Sequence, residues 1–296
     1  MKTIYLDCSM GAAGDMLMAA LYELLPEREA FFEKMNALGL PGITLSAEPS
    51  VKCGITGTHM RVLVHGEEEG AAHAHTHGHS HDNEREHTHA GLHEIEHRIS
   101  HLALSETVRE NVLAVYRSIA DAESRVHGVP VDEIHFHEVG SLDALADVTG
   151  VCLLFEMLAP EQVLCSPVHV GSGQVRCAHG ILPVPAPATA RLLEGIPVYG
   201  GSILGELCTP TGAALLRRFV TRFGAMPPMC MEKCGYGMGT KDFEAANCVR
   251  AIWGQTLTSG GQITELACNL DDMTPEDVGF AMERLFEGGA LDVYTT

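Results

Sequence analysis

An α/β fold is predicted for this chain of 296 residues: a mixed-sheet N-terminal region with a mobile His-rich insertion, then the start of a truncated α+β C-terminal domain. Three observations predict it. The opening run Thr3-Ile4-Tyr5-Leu6-Asp7 is apolar and strand-length, and a turn of small residues leads from it into a helix-like stretch. Strand-like and helix-like periods then alternate. A tract dense in histidine and glutamate interrupts them where no core can form. The resulting division is an α/β unit over 1–65, the insertion over 66–93, a second α/β unit completing the main domain over 94–258, and an incomplete C-terminal domain over 262–296.

In chain order, Gly14 to Leu25 reads as a helix that Pro26 helps to end, with Cys8-Ser9-Met10-Gly11-Ala12-Ala13 as the turn before it. Such a turn aims free backbone N–H groups at whatever lies beyond the strand's end, although it is neither a Rossmann fingerprint nor a Walker loop. Arg28 to Leu38 suits a second helix, and Ile43 to Glu48 and His59 to Val64 suit two strands. After the insertion, His93 to Leu102 restores order. Ser105 is placed to cap a long helix reaching His127, with Val108, Val112, Val115, Ile119 and Ala122 as its apolar stripe. A helix from Ser141 to Leu158 is apolar on most faces, which makes it central. Gly171 to Ala188 is rich in Gly and Pro and reads as irregular, and long ordered irregular segments are frequently functional. Pro210 to Arg222 reads as a helix capped by Thr209, and Ala290 to Tyr294 as the beginning of a strand.

Composition narrows the function. A formal charge of −20, from 39 acidic against 19 basic side chains, repels a phosphate backbone, so nucleic acid is not an expected partner. No run approaches the roughly 18 apolar residues of a membrane span, and Asp7 cuts the apolar start short of a signal-peptide core, so a cytoplasmic protein is expected. Ten scattered cysteines read as reduced thiols, mostly small apolar core residues.

The densest chemistry lies in His135-Phe136-His137-Glu138-Val139-Gly140-Ser141-Leu142-Asp143-Ala144-Leu145-Ala146-Asp147. On a strand His135 and His137 share a side, and on the next helix Asp143 and Asp147 share a face at i and i+4. Together with Glu138, and with Asp7 and Asp15 flanking the first turn, they form a candidate metal corner. Imidazole suits nickel and zinc while carboxylate suits magnesium or manganese, so the mixture does not choose a metal. A polar turn with Ser141 capping and Asp143 matching the helix dipole explains part of the same pattern. Asp147 sits deeper in an apolar helix, where it is costly without a partner or ion. In the insertion, His73, His75, His77, His79 and His81 present neutral imidazoles above about pH 6.5 and read as loop capture of nickel, zinc or copper. Ser172, Gly173, His179, Thr209 and Thr211 lie in turns whose donors suit an anionic ligand, and loop closure explains them equally well. Tyr236-Gly237-Met238-Gly239 permits close backbone approach of the same kind.

Four stretches in order, Leu6-Asp7-Cys8-Ser9-Met10-Gly11-Ala12-Ala13-Gly14-Asp15-Met16, His135-Phe136-His137-Glu138-Val139-Gly140, His179-Gly180-Ile181-Leu182-Pro183-Val184-Pro185-Ala186-Pro187 and Thr209-Pro210-Thr211-Gly212, resemble the LarC nickel-insertion family. That resemblance implies a chelatase of the lyase class, inserting nickel into pyridinium-3,5-bisthiocarboxylic acid mononucleotide to give the nickel-pincer cofactor of lactate racemase. It further implies dependence on CTP with magnesium or manganese, apo lactate racemase or a related enzyme as a partner, and a homo-oligomer where the family's C-terminal domain is present. Only the beginning of that domain, Asn269 to Thr274, matches here. Two other readings stay open: a non-catalytic nickel storage or delivery protein that uses the His-rich tract, and a metal-dependent hydrolase.

Overall fold

The computed structural model describes residues 1–66, 90–136, 139–177, 180–257 and 265–295. Residues 1–257 form one compact unit and 258–296 a second. The chain begins with β1 (Lys2–Asp7), α1 (Gly14–Leu24), α2 (Glu29–Ala37), β2 (Ile43–Lys52) and β3 (Ile55–Val64). Beyond the insertion come β4 (Ala90–Gly91), α3 (Leu92–His101), α4 (Glu106–His127), β5 (His135–Phe136), α5 (Leu142–Leu158) and β6 (Gln162–Cys165). A run of short pieces follows: β7 (Val168–His169), β8 (Gly171–Ser172), β9 (Gln174–Cys177), β10 (Gly180–Pro183), α6 (Pro187–Leu192), β11 (Val198–Tyr199) and β12 (Gly205–Glu206). The first unit closes with α7 (Pro210–Phe219), β13 (Arg222–Phe223), β14 (Met229–Met238) and β15 (Cys248–Thr256), and the second holds α8 (Pro275–Glu287).

A mixed seven-stranded sheet in the order β13-β6-β1-β15-β14-β3-β2 is the frame. β1 lies parallel to β6 and antiparallel to β15, so the first and last strands of the first unit pair with each other at the middle of the sheet. One face carries the helices. There Ile4, Leu6 and Cys8 join the principal core with α1, α4 and α5, while Tyr5, Leu164 and Ile252 form a small cluster on the opposite face. Alternation of side chains along a strand produces this split. Helix α1 lies directly on β14, where a Cβ on Gly235 or Gly237 would collide with the backbone of Ala20 or Met16. The close approach that these glycines permit is therefore made by a helix.

Local signals are met where chemistry is local. The Ser105 side chain accepts from the Val108 N–H, and Thr209 accepts from the Gly212 N–H with Pro210 at the first helical position, as the capping pattern requires. The central helix, α5, is buried along most of its length. Two stretches differ from expectation. Within the passage read as irregular, Gln174–Cys177 (β9) and Gly180–Pro183 (β10) pair antiparallel. Residues 290–294 form no strand, because a strand needs a hydrogen-bonded neighbour and none of the described residues pairs with them. The second unit's helix carries a capping box between Thr274 and Asp277.

A candidate carboxylate corner at the first turn

Turn 8–13, between β1 and α1, is zipped onto the chain before α7. Ala12 N–H donates to the Leu207 carbonyl, and Thr209 N–H donates to the Ala12 carbonyl. This pins the start of α1 beside the start of α7. Ala13 provides no side-chain cap to α1. The need is met from another helix: the Asp147 carboxyl group of α5 reaches the start of α1, where the Asp15 backbone N–H favours its charged form. Gly14 is what permits it, since a Cβ there would stand 2.7 Å from Asp147 Oδ2.

Asp15, Asp143 and Asp147 thus come within electrostatic reach of one another. Burial raises the Asp147 pKa well above the usual carboxylate range, and the Asp15 and Asp143 charges raise it further. Burial likewise raises Asp15, with backbone hydrogen bonds and the nearby His59 opposing. Asp147 Oδ1 is buried with no hydrogen-bond partner, and so is the hydroxyl of Tyr116, which is pushed up by burial and by Asp143 and Asp147. Asp143 differs in being locally satisfied, accepting from Ser141 Oγ and from the Ala144 N–H at 2.8 Å. These are oxygen donors suited to a hard cation. Among the described residues no group of three or more His, Cys, Asp or Glu is spaced to hold a metal by itself. Magnesium is commonly held by one or two carboxylates with the remaining positions taken by water and substrate phosphate, so the donor chemistry suits that ion sharing its coordination with a ligand.

The other predicted residues fall elsewhere. Asp7 accepts from Arg250 Nε at 3.0 Å and from the Ser9 N–H, and although burial alone would raise it, these bonds hold its pKa below the ordinary value. His135 is exposed on β5, with its neighbour Phe136 buried edge-on against Tyr116. Ser172 Oγ donates to the Ile203 carbonyl at 2.8 Å, Gly173 takes a left-handed turn, and Thr211 is buried near the start of α7. The expectations for His137, Glu138, His179 and the tract His73, His75, His77, His79 and His81 lie outside the described residues. A groove of about 370 Å³ lined by Leu40, His97, His101, Leu142 and Leu145 contains none of the predicted residues.

Four groups were not visible to sequence reasoning: His59, Tyr116, His169 and Arg250. Each sits alone in an apolar or strand context, and only sheet register or helix packing brings it to its partner. The thiols are quieter. Cys165 Sγ lies 3.5 Å from Cys8 Sγ; that contact and burial raise Cys8, and burial raises Cys208, so these groups stay protonated and pack as core residues.

Comparison with known proteins gives the site its context. The family model described as nickel insertion protein matches residues 4–296. A "Pyridinium-3,5-bisthiocarboxylic acid mononucleotide nickel insertion protein" of Clostridium kluyveri is 42% identical over 304 residues, covering 100% of this chain and 73% of that protein. The protein of the same name from Desulfitobacterium hafniense is 38% identical over 302 residues, covering 99% and 70%. A relative from Geotalea daltonii is 41% identical over 298 residues, covering 99% and 72%. No solved structure matches the chain.

Proposed function

We propose that this chain, which belongs to the nickel insertion protein family, is a chelatase that places nickel in pyridinium-3,5-bisthiocarboxylic acid mononucleotide, giving the nickel-pincer cofactor of lactate racemase. The observation that carries the reading is the match to curated insertion proteins across the whole of this chain. The carboxylate corner supports a location for the work. Thiocarboxylic acid groups give up protons when they bind a metal, and a mononucleotide brings a phosphate that needs a cation or backbone donors in so acidic a protein. A carboxylate with a vacant lone pair, Asp147 Oδ1, beside Asp15 and Asp143 suits both needs.

The family resemblance implies magnesium or manganese with CTP and associates that nucleotide with the C-terminal region; at this corner a divalent cation shared between the carboxylates and the phosphate oxygens of the mononucleotide substrate fits. In this reading Asp15 and Asp147 would hold the cation, and the cation would neutralise the phosphate. Asp143 tightens the first turn of α5, and the Asp15 N–H keeps the Asp147 carboxylate oriented. The setting is cytoplasmic, in keeping with the absence, among the described residues, of a helix long and apolar enough to cross a membrane.

The test supplies purified chain with nickel, CTP, magnesium and the bisthiocarboxylate precursor, and reads nickel in the product by mass spectrometry and activation of apo lactate racemase. Nickel-bearing product is the expected result. No product from a folded chain with all four components present would overturn the proposal for this chain.

A further inference from the structure

On the other side of turn 8–13 from the carboxylates stands an imidazole that nothing so far explains. His169, at the end of β7, is 6% exposed. Its Nδ1 lies 2.9 Å from the Ser9 carbonyl oxygen. A carbonyl can only accept, so Nδ1 carries the proton and Nε2 of the neutral ring presents a lone pair. That Nε2 is buried with no partner. The ring plane is fixed by stacking on Tyr199, with centroids 4.7 Å apart and planes 8° from parallel, and the Tyr199 hydroxyl also donates to the Ser9 carbonyl. Leaving a buried polar atom unpaired is costly, so a fixed acceptor without a partner points to a ligand.

What covers Nε2 is thin. A Cβ on Gly201 would collide with the imidazole, so only a glycine lets the chain close over it. Gly200, Gly201 and Ser202 are all exposed, and Tyr199 is 41% exposed. A backbone hydrogen bond to a carbonyl on one ring nitrogen, with the other nitrogen bare, is the arrangement found at metal-binding histidines. Neutral imidazole suits nickel, whereas the thiols Cys8, raised by its contact with Cys165 and by burial, and Cys208, raised by burial, stay protonated and do not compete.

We infer that His169 is a nickel-receiving residue, whose Nε2 takes the ion when the Gly200-Gly201 segment swings aside. The identity of the metal rests on the insertion reading above. A single protein imidazole, with water and later the substrate's sulfur atoms filling the other positions, suits a cargo ion that must be released. The coordinate bond replaces one aquo ligand on the ion, and no electron transfer or proton release is required.

The experiment uses the 296-residue chain in which the eight histidines from His73 to His93 are replaced by asparagine, with nickel alone as the probe. Calorimetry and X-ray absorption are expected to show one nickel equivalent with an imidazole nitrogen in its shell. His169→Gln is expected to abolish that equivalent or weaken it at least about tenfold. Gly201→Ala keeps His169, but its methyl would collide with Nε2, so the ring or the segment must shift; a nickel affinity different from the parent's is expected while far-ultraviolet circular dichroism stays that of the parent. Unchanged nickel affinity in Gly201→Ala, or in a folded His169→Gln, overturns the inference. A chain that completes insertion while His169→Gln binds nickel normally sinks this inference alone. A chain that binds nickel through His169 yet never loads the precursor sinks the insertion reading alone.

Discussion

Two aspartates at either end of one turn have opposite fates. Asp7 closes β1 and is held by Arg250 and by the Ser9 N–H, which keep its pKa low. Asp147 reaches the first turn of α1 from α5, keeps one oxygen unpartnered, and is raised by burial and then by Asp15 and Asp143. Both are acids near the same loop of an acidic chain. The first is a structural ion pair whose needs are met inside the fold. The second has an open requirement, and a chain under no functional demand would be more stable with asparagine there. An unmet electrostatic demand is the better guide to where a ligand binds.

A divalent cation at about a hundred times its Kd adds about 2.7 kcal/mol to the parent chain, and a parent whose melting temperature ignores nickel and magnesium would remove the distinction between the two acids. Gly14→Ala is expected to lose about 2 kcal/mol by driving a methyl into the Asp147 carboxylate, and to abolish cation-induced stabilisation at the same time. The contrast can also be broken at Arg250. Its guanidinium is nearly half exposed, so solvent screens the pair, and Arg250→Ala is expected to lose about 1 kcal/mol in denaturant unfolding at pH 7. Asp147→Asn keeps a cap for the Asp15 N–H but removes a like charge, so a gain of a few tenths to about 1 kcal/mol is expected for the ligand-free chain.

The pH dependence sharpens the same comparison because the signs differ. Asp7 has a lowered pKa in the folded chain, so its contribution is present above the unfolded value and is lost as pH falls through the folded one. Asp147 has a raised pKa, so the folded chain binds the extra proton and stability declines as pH climbs from the unfolded value through the folded one. Asp7→Asn is expected to flatten the acid limb of the stability profile, and Asp147→Asn the rising-pH limb. The two variants giving the same profile would end the distinction.

Much of this was legible in the residues. Strand, turn and helix at the N-terminus, the caps at Ser105 and Thr209, the buried α5 and the awkwardness of Asp147 follow from local pattern and from the cost of burying charge. The pairing of Gln174–Cys177 with Gly180–Pro183 was hidden because glycine and proline mark turns without stating which flanking residues pair. The strand expected at 290–294 failed for the converse reason, since β propensity is expressed only against a neighbour.

The sequence by itself determined a metal-handling α/β protein of the nickel insertion family, because caps, periodicity, composition and ordered motifs are properties of residues close together in the chain. Only the tertiary structure decided that Asp147 serves helix α1, that Arg250 pairs with Asp7, and that His169 turns a bare nitrogen toward Gly201. The first two pairings join residues more than a hundred positions apart. They are fixed by strand register and helix packing, whose energies are summed over the whole core and leave no mark on any short stretch of sequence.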